Sequence, residues 1–155
     1  MKIPRESTKK ILIFFATYNE ADNVENLLKC TFEHLPGREV LVLDDDSPDG
    51  TGEILDIFSQ NNKQVTVIHR HRKLGLGTAH KLAMQYAIKN KYEILITMDA
   101  DFSHHPEYLP TLVDLMNDND FITALKMVRK QILAHKEVMI VVLIVEFVLC
   151  IGPFS

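Results

Sequence analysis

Cysteine is scarce. The 155 residues contain two, Cys30 and Cys150, far apart in the chain. That argues against a disulfide framework and for a reducing, cytosol-facing compartment. An excess of positive charge is also lacking, with 17 basic against 21 acidic side chains and a net charge of -4. Nucleic acid is therefore not expected as a main partner. The first ten residues hold four basic side chains but no apolar stretch, so no secretory signal is expected. No apolar run reaches the roughly 20 residues that a bilayer span requires. The longest, residues 138–151, is broken by Glu146 and falls short. Internal repeats, linkers and low-complexity segments are missing too. What is present is an ordinary mixture, 46% hydrophobic and 25% charged, enough for one globular domain with a real core.

Continuous apolar runs of strand length alternate with helical spacing. Ile11 to Phe15 forms the first run and ends in the polar segment Thr17-Tyr18-Asn19-Glu20. Asp22 with Glu25 resembles a capping box, ahead of Val24, Leu27, Leu28 and Phe32 at helical intervals, and Pro36-Gly37 stops that helix. Residues 39–43 form the second run, ending in Asp44-Asp45-Asp46 and the turn chemistry of Ser47-Pro48-Asp49-Gly50. A helix marked by Ile54, Leu55 and Phe58 follows, then a third run over residues 64–68. After His69-Arg70-His71-Arg72-Lys73 and Leu74-Gly75-Leu76-Gly77 comes a helical pattern through Ala79, Leu82, Ala83, Tyr86 and Ala87. The fourth run ends in Asp99-Ala100-Asp101, and a helix opens near Pro106. Runs that are apolar throughout suit parallel strands covered on both faces. Four strand-then-helix units imply a parallel, doubly wound sheet. A fifth strand is expected from residue 121. Residues 138–151, rich in β-branched side chains, lean towards strand over core helix or interfacial segment.

In such a sheet, the loops after the strands share the carboxyl edge, where ligands bind. Three polar clusters meet there: Thr17 to Glu20, Asp44 to Asp46, and Asp99 with Asp101. A lone acid after a strand usually caps the next helix. Three clusters on one edge point to a site. Asp99 and Asp101 offer hard oxygen donors suited to Mg²⁺ or Mn²⁺, which bind well when a diphosphate completes the coordination. Residues 69–73 suit phosphate or a solvated loop, and Gly75 and Gly77 can bring backbone N–H groups to phosphate or only supply positive φ. Tyr18 can stack on a flat base or form wall. Asp44 and Asp45 can accept from a nucleobase or ribose hydroxyl, and Asp46 can simply start the turn. His104 and His105 sit in a helix-entry loop, where metal ligation is the less common role.

The segments 16–20, 43–51, 73–79 and 98–106 occur in the order seen in family 2 glycosyltransferases of the GT-A fold. They are most similar to the dolichol-phosphate (polyprenol-phosphate) mannosyltransferase branch, from about Lys10 to about Leu125. The resemblance implies an α/β, GT-A-type, Rossmann-like sheet, mostly parallel with helices on both faces and incomplete at its C-terminal side. It implies GDP-mannose as donor, dolichyl phosphate as acceptor, and Mg²⁺ or Mn²⁺ as cofactor. The transfer inverts the sugar and supplies lipid-linked mannose for protein glycosylation and GPI anchors. It further implies membrane-anchoring partner subunits and a peripheral place on the cytoplasmic face of the endoplasmic reticulum. By position, Thr17, Tyr18, Glu20, Leu43 and Asp45 belong to the guanosine pocket. Asp99, Ala100 and Asp101 match the Asp-X-Asp motif and its catalytic acids, with Asp101 the metal ligand and Asp99 beside the ribose or sugar. Lys126 takes the position where the family has arginine, keeping the charge but losing the bidentate fork. Past Lys126, the glycine-rich loop and acceptor-side segment of the family are not recognisable. The expected organisation is thus a nucleotide-sugar-binding part, residues 1–126, and a divergent tail, residues 127–155, that is not a separate domain. A donor-binding remnant that holds GDP-sugar or a partner subunit without turnover is the competing expectation.

Overall fold

The computed structural model describes residues 9–103, 105–116, 121–123 and 141–144. The chain runs β1 (Ile11–Thr17), α1 (Val24–His34), β2 (Glu39–Asp44), α2 (Thr51–Asn61), β3 (Val65–His69), α3 (Leu76–Lys89) and β4 (Ile94–Asp99). A short 3₁₀ turn (Pro106–Tyr108) leads into α4 (Leu109–Leu115), followed by β5 (Phe121–Thr123) and β6 (Val141–Ile144). The six strands lie in the order β3-β2-β1-β4-β6-β5. The pairs β3–β2, β2–β1 and β1–β4 are parallel, as the unbroken apolar runs predict.

β1 is central because both of its faces are covered. Ile11, Ile13 and Phe15 join Leu27, Leu28, Leu55, Leu109 and Leu112 beneath α1, α2 and α4. Leu12 and Phe14 join Leu41, Leu43, Ala79, Ala83 and Ala87 beneath α3. The alanine stripe lets α3 lie close to the sheet.

The C-terminal strands depart from the parallel pattern. β6 pairs antiparallel with β4, Ile94 opposite Ile144 and Thr97 opposite Val141, and lies between β4 and β5. The apolar run is thus a strand over 141–144, within the sheet formed by the earlier elements. Among the described residues, no helix is long and apolar enough to cross a membrane.

Asp22 and Glu25 do not form a capping box: the N-cap is Asn23, without a side-chain cap bond. The Glu20 carbonyl already accepts from the Asn23 and Val24 amides at 3.0 and 2.9 Å. Glu25 instead pairs with Lys29 on the exposed face at 2.6 Å.

Candidate active site

Strand register brings the polar clusters to one edge. Thr17 pairs across from Asp44, Asp44 from His69, and Ala16 from Asp99. The chain steps outward through β2 and β3, then returns to place β4 on the other side of β1. That reversal opens the crevice in which doubly wound sheets take ligands.

A cleft of about 260 Å³ occupies this edge. Its wall holds Thr17, Tyr18 and Glu20 after β1, Asp45 after β2, and Asp99, Ala100 and Asp101 after β4. Arg70, Lys73 and Gly75, between β3 and α3, close the remaining side. Two expected residues are not among these. Leu43 is fully buried in the core beneath α3, and only its carbonyl approaches the edge, accepting from Thr17 Oγ1 at 3.3 Å. Lys126 lies outside the described residues, as does His104. Gly77 stands inside the first turn of α3 and Gly75 is its N-cap, with φ of +86°.

Asp44 and Asp45 have separate tasks. Asp44 is buried and turned into the scaffold, where its Oδ1 accepts from Thr17 Oγ1 at 3.1 Å and from Ser47 Oγ at 2.6 Å. It does not line the cleft. Asp45 does, and it meets the Arg70 guanidinium as a fork. Arg70 Nε donates to Oδ1, and Nη2 donates to Oδ2 at 2.7 Å. The Leu74 amide also donates to Oδ2, at 3.3 Å. With about four lone-pair sites on a carboxylate, Oδ1 keeps room for one further donor. Arg70 is 8% exposed and Asp45 7%, so this is a desolvated pair. Arg70 Nη1 also donates to Thr78 Oγ1 at 2.6 Å, joining the edge to α3. In the sequence Arg70 stands in the basic run of residues 69–73, with nothing local to mark Asp45 as its partner. The available signal was offset: an acid one residue past β2 and a base one residue past β3 are lateral neighbours once Asp44 and His69 are in register.

The Ser-Pro-Asp-Gly-Thr segment acts as a clamp on the loop after β1. Ser47 Oγ accepts from the Asn19 amide at 3.0 Å, Thr51 Oγ1 from the Glu20 amide at 2.9 Å, and Asp49 Oδ2 from the Ala21 amide at 3.0 Å. Tyr18 and Glu20 are therefore held by residues about thirty positions away. Thr51→Val removes the Glu20 amide's partner and is expected to cost about 1 kcal/mol, read by urea denaturation, with weakened ligand binding at the cleft. The Thr51 hydroxyl, with the Ala21 and Thr51 amides, holds the Asp49 carboxyl below its ordinary 3.8. A lowered folded value means that this contribution is complete above pH 3.8 and is lost as pH falls through the folded value. Stability of Asp49→Asn is expected to fall less steeply than that of the parent chain in that acid window.

Lys73 Nζ lies 3.9 Å from the centroid of the Tyr18 ring, covering one aromatic face at the cleft mouth. Asp99 and Asp101 are both exposed at the tip of β4. The Ser103 amide donates to Asp101 Oδ1 at 2.9 Å, orienting that carboxylate. Two exposed carboxylates one residue apart fit a hard divalent cation that shares its coordination with a diphosphate. His80, in α3, is a further neighbour missed in the sequence. Its ring meets Phe14 edge-on at 5.8 Å, and burial lowers its pKa against the opposing pull of Asp99.

The sequence matches the Glycosyl transferase family 2 model over residues 12–139, which extends past Lys126. It is 37% identical over 113 residues to the undecaprenyl-phosphate mannosyltransferase of Micrococcus luteus, covering 73% of this chain and 46% of that protein. It is also 37% identical over 111 residues to the polyprenol monophosphomannose synthase of Mycolicibacterium smegmatis, covering 71% of this chain and 42% of that one. The chain thus spans less than half the length of these curated relatives. Among solved structures, the mannosyltransferase PcManGT from Pyrobaculum calidifontis, in complex with GDP-Man and Mn²⁺, superposes with a TM-score of 0.65 at 23% identity. That likeness covers 76% of this chain and 35% of PcManGT, and it establishes the GT-A-like fold. With the motifs, the sheet order and the family match in agreement, the chain belongs to glycosyl transferase family 2.

Proposed function

We propose that the cleft binds GDP-mannose and that its mannosyl group passes to a polyprenyl phosphate of the dolichyl type with inversion. The observation that supports this most is the meeting of Asp99 and Asp101 with Tyr18, Glu20 and Asp45 in one cleft. Tyr18, Glu20 and Asp45 suit a nucleoside, and Asp99 and Asp101 offer hard oxygen donors to a cation.

In this reading Asp45, braced by Arg70, takes a donor of the guanine at its remaining Oδ1 site. Tyr18 and Glu20 flank the nucleoside, with Thr17 behind them. Asp101 is the metal ligand, Asp99 lies beside ribose or sugar, and the Ala100 backbone completes that wall. Mg²⁺ or Mn²⁺, when bound, neutralises charge that develops on the departing GDP. Lys73 adds positive charge at the cleft mouth, and by the motif resemblance Lys126 takes the position of the family's arginine. The acceptor phosphate is already anionic near neutral pH, so its oxygen attacks the anomeric carbon without a general base. The bond from that carbon to the GDP oxygen breaks as the new one forms on the opposite face.

A lipid acceptor implies work at a membrane surface. The cytoplasmic face of the endoplasmic reticulum, anchoring partner subunits, and supply of mannose to protein glycosylation and GPI anchors rest on the motif resemblance. Residues 1–126 form the donor-binding part in this reading, and residues 127–155 the divergent tail. A second reading is donor binding without turnover, because the acceptor-side motifs of the family are not recognisable in residues 127–155. A transfer assay with radiolabelled GDP-mannose and dolichyl phosphate separates the two. Labelled lipid is expected from the first. GDP binding without labelled lipid would leave only the second.

A further inference from the structure

The surface between α1 and the loop after β4 carries a constellation that the donor cleft does not use. Cys30 and His34 are four residues apart on α1, so their side chains share one helical face. His105 reaches the same place from the loop that follows β4 and Asp101. The Cys30 sulfur and one ring nitrogen of each histidine all lie within 4.8 Å of one another. The two imidazole rings meet edge to face, centroids 6.3 Å apart. Cys30 is half-buried, and both histidines are exposed at the surface.

We propose that Cys30, His34 and His105 form a binding site for Zn²⁺ or a chemically similar soft divalent cation, separate from the metal position at Asp101. One thiolate and two imidazoles are a donor set for Zn²⁺. Tetrahedral coordination with Zn–S near 2.3 Å and Zn–N near 2.0–2.1 Å sets ligand atoms about 3.4–3.6 Å apart. Small side-chain rotations bring the three atoms to that spacing, and the exposure of both rings leaves room for them. Water or a carboxylate fills the fourth position. Glu33 and Glu107 both act on the Cys30 thiol electrostatically. The Glu107 backbone amide donates to His105 Nδ1 at 3.3 Å, which fixes the position of the ring.

In the metal-free chain, burial first and then these two acids hold the thiol above its ordinary value. On loading, Cys30 gives its proton to solvent and its sulfur electron pair to the cation. The hard oxygen donors of Asp99 and Asp101 favour Mg²⁺ or Mn²⁺ instead. A cation held by Cys30, His34 and His105 would staple α1 to the loop that begins at Asp101.

Titration of the whole reduced chain with Co²⁺ tests this. One equivalent is expected to raise a thiolate-to-cobalt charge-transfer band with intense tetrahedral ligand-field bands, both removed by Zn²⁺. They should persist in Asp101→Ala and in Cys150→Ser, and vanish in Cys30→Ser. His34→Gln and His105→Gln should each weaken Co²⁺ binding by at least about tenfold. Absence of the charge-transfer band, its survival in Cys30→Ser, or its loss in Cys150→Ser would overturn the assignment. Should Cys30→Ser fail to fold, the surface variant His34→Gln decides, and unchanged Co²⁺ affinity there would refute the site.

Discussion

Asp101→Ala is expected to abolish the metal dependence of GDP binding. The parent chain should bind GDP far more tightly with Mn²⁺ than with a chelator present, and the variant should bind equally weakly in both. Asp101 stands at the tip of β4 with the Ser103 amide orienting its carboxylate. Its loss removes an anionic ligand from a cation that shares its coordination with the diphosphate. Several kcal/mol of binding are at stake, on the order of a hundredfold or more in affinity. The fold should survive, since the side chain is exposed and contributes nothing to the core. Unchanged thermal stability with lost metal dependence is the expected signature. A variant that still binds GDP in a Mn²⁺-dependent way would remove Asp101 from the metal site.

Arg70→Met is expected to be the most destabilising change at the cleft. It strands the Asp45 carboxylate, which is nearly inaccessible to water and whose principal partner is the Arg70 fork. Breaking one side of a buried pair costs about 3–5 kcal/mol, a fall in melting temperature on the order of 10 °C for a chain of this size. Adding Asp45→Asn removes the stranded charge and should recover a large part of that loss, although guanosine binding would remain impaired. The double-mutant cycle separates a charge pair from simple packing. Additive losses would mean that Arg70 acts through its contacts with Thr78 and Gly75 instead.

The sheet was legible because its strands are apolar throughout and each ends in a polar cluster. That pattern alone predicts parallel strands and puts the three acid-bearing loops on one edge. The Leu43 side chain turns away from the cleft because a strand's side chains alternate, which leaves only its backbone carbonyl at the edge. With Leu41 it faces the core beneath α3, and the edge begins one residue later. Asp44 and Asp45 look identical in sequence, yet one is consumed by Thr17 and Ser47 while the other faces the cleft. Only the path of the loop after β2 separates them. The clamp formed by Ser47, Asp49 and Thr51 reads locally as a turn, because its partners lie in the loop after β1. The placement of β6 is non-local in the same sense. Its apolar character predicts a strand, but a seat between β4 and β5 depends on pairing that no short window contains.

The central claim is that these strand-end loops hold a nucleoside diphosphate through a divalent cation. Calorimetric titration of the unmodified chain with GDP, once with Mn²⁺ and once with chelator, tests it most directly. Saturable binding at one site with Mn²⁺, strongly weakened by the chelator, is the predicted result. No GDP binding in the presence of Mn²⁺, or equal binding in both solutions, would contradict it.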